Sequence, residues 1–175
     1  LRPTDVAVSW LPLYHDMGLI GTWLNALVNG IPLTLMSPLA FLARPEHWLW
    51  AIHQQRATLS PAPNFAYDLC VRRVKDRDMV GLDLSSWRVA GCGAEPIHPP
   101  TLAAFAQKFA PVGFRKTSYL PSYGLAEHVL AASFAACGRA PRTEEVAADA
   151  LTERRIAIPH KGEGLSVALV SCGKA

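Results

Sequence analysis

Residues 6–21 read Val6-Ala7-Val8-Ser9-Trp10-Leu11-Pro12-Leu13-Tyr14-His15-Asp16-Met17-Gly18-Leu19-Ile20-Gly21. Val6 to Trp10 has the apolar, branched character of a buried strand, and Pro12 ends it because proline has no N–H for a sheet ladder. Tyr14, His15 and Asp16 therefore fall on a loop at the strand's C-terminal end, where open α/β sheets place ligands. Met17 to Val28 is apolar with small residues at Gly18 and Gly21, the pattern of a helix that approaches a neighbour closely. Gly30 is its expected C-terminal cap, and Ile31 to Met36 reads as the next strand.

The same alternation continues downstream. Arg44 to Arg56 carries Trp48, Leu49 and Ile52 at helical spacing after Pro45, and Ala57, Thr58 and Leu59 read as a short buried strand. Asn64 to Lys75 is a further helix through Phe65, Leu69 and Val74, and Trp87 to Cys92 a further strand. Pro99 and Pro100 can open a helix because its first turn needs no N–H, with Leu102, Phe105 and Phe109 on the buried side. The sequence thus predicts an α/β fold, mainly a parallel β-sheet with flanking helices. Between Gly138 and Gly164 the chain turns to Arg, Glu and Ala, a surface insertion with one short helix expected near Glu144 to Leu151. The expected division is 1–137 for the main unit, 138–164 for the insertion, and 165–175 for the next strand of the main unit, cut short. Leu1 runs at once into an apolar segment and Gly173 follows a strand, so both ends are expected to be cuts within something larger.

Of 175 residues, 50% are apolar and 18% charged, with a formal net charge of +3, values of a globular α/β chain. The 17 Lys and Arg are scattered, which does not suggest nucleic-acid binding. The densest group, Arg72, Arg73, Lys75 and Arg77, closes a helix and complements its dipole, with an acidic partner as the alternative. Cys70, Cys92, Cys137 and Cys172 show no metal-ligand spacing. With no apolar run of about 18 residues and no secretory signal, a cytoplasmic protein with reduced thiols and no transmembrane segment is expected.

Three segments at strand ends carry the chemistry: Leu11 to Gly21, then Gly93-Ala94-Glu95-Pro96, then Ser122-Tyr123-Gly124-Leu125-Ala126-Glu127. In this order and at these separations they resemble the adenylate-forming superfamily of acyl-CoA synthetases, luciferases and peptide-synthetase adenylation domains. The wording of the first and third, with Pro63-Asn64-Phe65-Ala66-Tyr67-Asp68-Leu69-Cys70, resembles the fatty acyl-AMP ligase branch. The resemblance runs from about Asp5 to Gly173. It implies part of the large N-terminal domain of such an enzyme, in which a long-chain fatty acid carboxylate attacks the α-phosphate of ATP. Acyl-AMP and pyrophosphate result, and the acyl group passes to the phosphopantetheine of an acyl carrier protein or of a polyketide or peptide synthase carrier domain.

By this resemblance Glu127 is the Mg²⁺-binding carboxylate and His15 lies beside the acyl carboxylate, the two catalytic positions. Gly93, Ala94, Glu95, Pro96, Ser122, Tyr123, Gly124, Leu125 and Ala126 form the ATP/AMP site, with the Tyr123 ring on the adenine. Met17, Gly18, Gly21, Phe65 and Tyr67 line an acyl pocket. Taken alone, Glu127 could cap a helix, His15 could decorate a loop, Tyr123 could be a core residue, and the acyl-wall residues could be ordinary packing. Ala126 stands where the superfamily usually has Thr, as is characteristic of the acyl-AMP ligase branch, and 138–164 falls where that branch carries its insertion. Departures are Ser60-Pro61-Ala62, where the branch more commonly has Ser-Gly-Gly, and Gly91-Cys92, where an Asn often precedes Gly-Ala-Glu-Pro. The upstream phosphate loop, the downstream Thr-Gly-Asp segment and the C-terminal catalytic Lys are not in these residues, so the chain alone is expected to be inactive. The alternatives are a long-chain acyl-CoA synthetase, or a non-catalytic lipid-binding or interaction module on the same scaffold.

Overall fold

A computed structural model describes residues 1–174. β1 (Ala7–Ser9) pairs in parallel with β2 (Leu33–Leu35). β3 (Ala62–Pro63), β4 (Ala90–Gly93) and β5 (Tyr119–Tyr123) are also parallel neighbours, and β6 (Ser133–Phe134) closes the edge antiparallel to β5. Leu59 joins the two groups by parallel bridges to Ala7 and to Val89. The parallel α/β architecture is therefore as the sequence predicts. Ala57 to Leu59 is not a strand, however. Arg56 takes a left-handed φ of 50° just before it and Pro61 has no N–H just after it, so the regular ladder starts only at Ala62.

Between β1 and β2 the backbone coils without interruption from Asp16 to Asn29. It is α-helical over α1 (Asp16–Gly18), π-helical over Leu19–Leu24, and α-helical again over α2 (Asn25–Asn29). The expected single helix is thus widened by one π stretch, at which the buried Thr22 hydroxyl donates to Gly18 O. Gly30 ends α2 in the left-handed conformation, as its position predicts. The short α3 (Pro38–Ala43) escapes sequence reading because its periodicity covers less than two turns; Phe41 is its one buried residue.

α4 (Glu46–Gln54), α5 (Asn64–Arg73) and α6 (Pro99–Phe109) supply the core. α4 buries Trp48, Leu49 and Ile52, α5 buries Ala66, Tyr67 and Cys70, and α6 buries Leu102, Phe105 and Phe109. These meet Val8, Trp87, Ala90, Cys92 and Tyr119 in one cluster. Its centre is aromatic: Trp48 and Trp87 cross at 5.1 Å, and Tyr67 and Phe105 meet edge-on at 5.1 Å, arrangements that suit the ring quadrupoles. Trp10 Nε1 is buried there with no hydrogen-bond partner among the described residues, but other buried polar atoms of the cluster are matched. Trp48 Nε1 donates to Ser60 Oγ at 2.8 Å, and that hydroxyl donates to Val8 O at 2.6 Å, tying α4 to β1. Tyr119 OH donates to Leu102 O at 2.9 Å, tying β5 to α6.

The region after Gly138 is folded differently from expectation. The segment read as a helix from Glu144 begins as β7 (Thr143–Ala147), and only then becomes α7 (Ala148–Arg154). β7 pairs antiparallel with β8 (Ser166–Val170), five residues on each strand. Pairing with a distant strand overrides the local helix preference of Glu and Ala here, and Val146 and Ala150 are buried. Among the described residues no helix is long and apolar enough to cross a membrane.

Candidate active site

The C-terminal ends of β1, β4 and β5 lie on one edge of the sheet, so the loops after them converge. The face of the sheet opposite the aromatic core carries the alternate residues Ala7, Leu59, Val89, Gly91, Leu120 and Ser122. These form the floor of an open cleft of about 1200 Å3. Its walls are the helical run 16–29, through Met17, Ile20, Gly21 and Leu24, and the return after β5, through Leu130 and Phe134. The interior is mainly apolar; polar side chains stand where the loops meet, and also farther along at Asn25, Asn29 and Arg88.

At that end stand His15, Ala94, Ser122, Tyr123, Gly124, Leu125 and Ala126. His15 caps α1: its Nδ1 lies 3.2 Å from Met17 N and 2.8 Å from Asp16 Oδ1, which fixes the ring by one nitrogen and leaves Nε2 free of both contacts. Gly18 lets this loop close on the helix, since a Cβ there would sit 2.2 Å from Pro12 O; its small size serves backbone approach, and it is not on the cleft wall. Tyr123 is 59% exposed at the end of β5, a flat ring presented to the cleft. Gly124 follows because the chain doubles back so tightly that a Cβ would lie 1.8 Å from Leu130 O. Ala94 has φ of 64° and Val129 φ of 68°, left-handed values that non-glycine residues rarely take and that concentrate at functional sites.

The remaining sequence-predicted residues stand back from the cleft lining. Gly93 is buried against Ser122, while Glu95 and Pro96 are exposed beyond Ala94. Glu127 is exposed on a single 3₁₀ turn, Ala126–His128, and takes part in no ion pair among the described residues. Phe65, 40% exposed, packs its ring 5.9 Å from Trp10. Tyr67 is placed in the core instead of an acyl wall: it is fully buried, and its hydroxyl donates to Gly91 O at 2.8 Å. Burial among apolar rings raises its pKa far above the ordinary tyrosine value, so it is a neutral donor.

Sequence reading missed Ile20, Leu24, Leu59, Val89, Gly91, Leu120 and Leu130 as lining residues. Period-two alternation along 89–92 and 119–122 marks two faces, but both are apolar, so the sequence does not say which one stays open.

A parallel sheet with strain and exposed polar groups at its C-terminal edge, beside an apolar cleft, defines an α/β enzyme of the open-sheet, ligand-binding class. The chain belongs to the AMP-binding enzyme family, whose model matches residues 1–159. It is 43% identical over 171 residues to a medium-chain-fatty-acid–[acyl-carrier-protein] ligase of Moorena producens, covering 97% of this chain and 29% of that protein. It is 46% identical over 141 residues to a long-chain-fatty-acid–AMP ligase of Mycobacterium bovis, covering 81% of this chain and 24% of that protein. Among solved structures, a fatty acyl-adenylate ligase from L. pneumophila in complex with acyl adenylate and pyrophosphate superposes with a TM-score of 0.92 at 42% identity, over 99% of this chain and 30% of that one. The fold is that of part of the N-terminal domain of adenylate-forming enzymes. The chain spans under a third of the length of these relatives.

Proposed function

We propose that this chain is the central portion of a fatty acyl-AMP ligase, which joins a fatty acid carboxylate to AMP with release of pyrophosphate. The single observation that carries this reading is the cleft: an apolar trough along the open sheet face ends at His15, Ala94 and Tyr123. A fatty acid laid in it would have its carboxylate at the loop end, where a nucleotide phosphate must meet it for in-line attack.

His15 would orient the carboxylate through its uncommitted nitrogen. Tyr123 would cover one face of the adenine, and the Ala94 main chain the other. Glu127 is an uncommitted carboxylate at the same edge, and one carboxylate suits Mg²⁺, which completes its shell with water and substrate phosphates. Bound there, the ion would offset the charge of the two reacting anions. Met17, Gly21 and the newly found Ile20 and Leu24 would line the acyl chain. We assign the stretch 138–164 to the branch insertion, and the acyl acceptor to a carrier-protein phosphopantetheine thiol, which the name of the Moorena relative supports. A cytoplasmic location fits such an acceptor.

A second reading, an acyl-CoA synthetase, is favoured by a Caulobacter vibrioides relative named a putative acyl-CoA synthetase, 42% identical over 158 residues. The test uses the full-length protein containing this chain, with a fatty acid panel, ATP and Mg²⁺, with and without coenzyme A. Acyl-AMP that persists with coenzyme A present and is lost in Glu127→Ala is the expected result. Acyl-CoA would favour the second reading, and absence of both products would refute the two together.

A further inference from the structure

Glu95 belongs to the loop that borders the nucleotide end of the cleft, yet its side chain reaches away from the cleft to a helix. Its Oε1 accepts the N–H of Phe65 at 2.6 Å. Phe65 is in the first turn of α5, whose N-cap position is Pro63, a residue with no side-chain acceptor. Glu95 therefore supplies, from a different loop, the carboxylate that an N-cap side chain ordinarily offers to the first N–H groups. Asn64, almost fully buried, returns the contact: its Oδ1 accepts the N–H of His98 at 3.1 Å.

The two bonds bracket the segment after Ala94, the residue with left-handed φ that lines the cleft. On the other flank, Gly93 is pressed against β5, where a Cβ would sit 2.7 Å from Ser122 Oγ, and that hydroxyl donates to Cys92 O at 3.3 Å. An alanine does not keep such a backbone conformation unaided. Here it is fixed by β5 before it and by α5 after it.

We infer that Glu95 and Asn64 are positioning residues that latch the loop 93–98 to the first turn of α5 and so hold the Ala94 main chain in place against the nucleotide. Glu95 works as a hydrogen-bond acceptor for a backbone N–H and does not itself touch the nucleotide. This rests on the nucleotide end of the cleft being as read above.

The test compares Glu95→Ala, Glu95→Gln and Asn64→Ala in the full-length protein, measuring acyl-AMP formation with ATP and fatty acid varied separately. Glu95→Ala is expected to raise KM for ATP about tenfold, with KM for the fatty acid changed by less than about twofold. Glu95→Gln keeps an oxygen acceptor and is expected to restore KM for ATP to within about threefold of wild type. Asn64→Ala should repeat the selective loss. A Gln variant as impaired as the Ala variant would overturn the inference, because it would give the carboxylate charge a direct role. An equal change in both KM values, or no change in either, would overturn it as well. Absence of acyl-AMP from the wild-type protein would remove the functional reading and this inference with it.

Discussion

Along residues 89–92, Ala90 and Cys92 enter a core of Trp48, Tyr67, Trp87 and Phe105, while Val89 and Gly91 face a cleft wide enough for a ligand. The same alternation on β5 sends Tyr119 to the core and Leu120 and Ser122 to the cleft. One face is filled by interlocking rings, and on the other small and aliphatic residues leave space. Stability is therefore concentrated on one side of the sheet and ligand capacity on the other, so substitutions on the two faces should report on different properties.

The largest effect belongs to the closed face. Trp48→Ala removes the ring that joins α4 to β1 and is expected to destabilise the protein by about 4 kcal/mol, read from its denaturant midpoint. If the cost were under about 1 kcal/mol, the contrast between the faces would be broken.

Next comes the buried ion pair at the margin of the cleft. Asp5 is almost fully buried, and Arg88 Nη2 lies 2.8 and 2.7 Å from its two oxygens. Burial pushes the Asp5 carboxyl up, but hydrogen bonds from Arg88, Thr58 and the Arg2 backbone outweigh it and hold its pKa below the ordinary value. A depressed carboxyl pKa stabilises the fold above the unfolded value, and that contribution is lost as pH falls through the folded one. Arg88→Met should cost about 3 kcal/mol at neutral pH by stranding the Asp5 charge. The gap from wild type should start to narrow above about pH 4, as the stranded carboxyl takes up a proton, and narrow further below about pH 4, as the wild type loses its pair. A gap independent of pH would show that packing, not charge, is lost.

On the open face the expected cost is small. Ile20→Trp should change stability by less than about 1 kcal/mol, since the side chain enters space and not a packed core, while moving the preferred fatty acid to a shorter chain in the acyl-AMP assay. An unchanged preference would take Ile20 off the acyl wall. Smallest of all is thiol labelling, which perturbs nothing. Exposed Cys137 should react with a thiol reagent at pH 8, whereas Cys70 and Cys92, buried with their thiol pKa values pushed up by burial, should stay unlabelled until the protein unfolds.

Much of this was legible in the sequence where a single local signal decides the outcome. Gly30 as a cap, Pro99 and Pro100 at a helix start, and the buried trio Leu102, Phe105 and Phe109 follow from backbone chemistry and helical period. The motif words placed His15, Ala94 and Tyr123 at strand ends, and the structure brings them together at one edge of the cleft. What stayed hidden depends on partners distant in sequence. Tyr67 reads as well for a pocket as for a core until its ring is seen among Trp48, Trp87 and Phe105. Thr143 to Ala147 becomes a strand only because Ser166 to Val170 lies beside it. The Glu95 carboxylate accepts the Phe65 N–H, thirty positions away, a contact that no local pattern announces.

The central claim is that the open face of the sheet holds an acyl chain whose carboxylate meets the loops at the strand ends. It is tested most directly by photo-crosslinking in the full-length protein, using a fatty acid with a diazirine on its terminal carbon, with ATP and Mg²⁺ present. Crosslinks confined to the helical wall 16–29, to the floor residues Ala7, Leu59, Val89, Gly91, Leu120 and Ser122, and to the return at Leu130 and Phe134, and abolished by excess unlabelled fatty acid, are the expected result. Crosslinks that fall elsewhere on the protein, or that excess fatty acid does not displace, would contradict the claim.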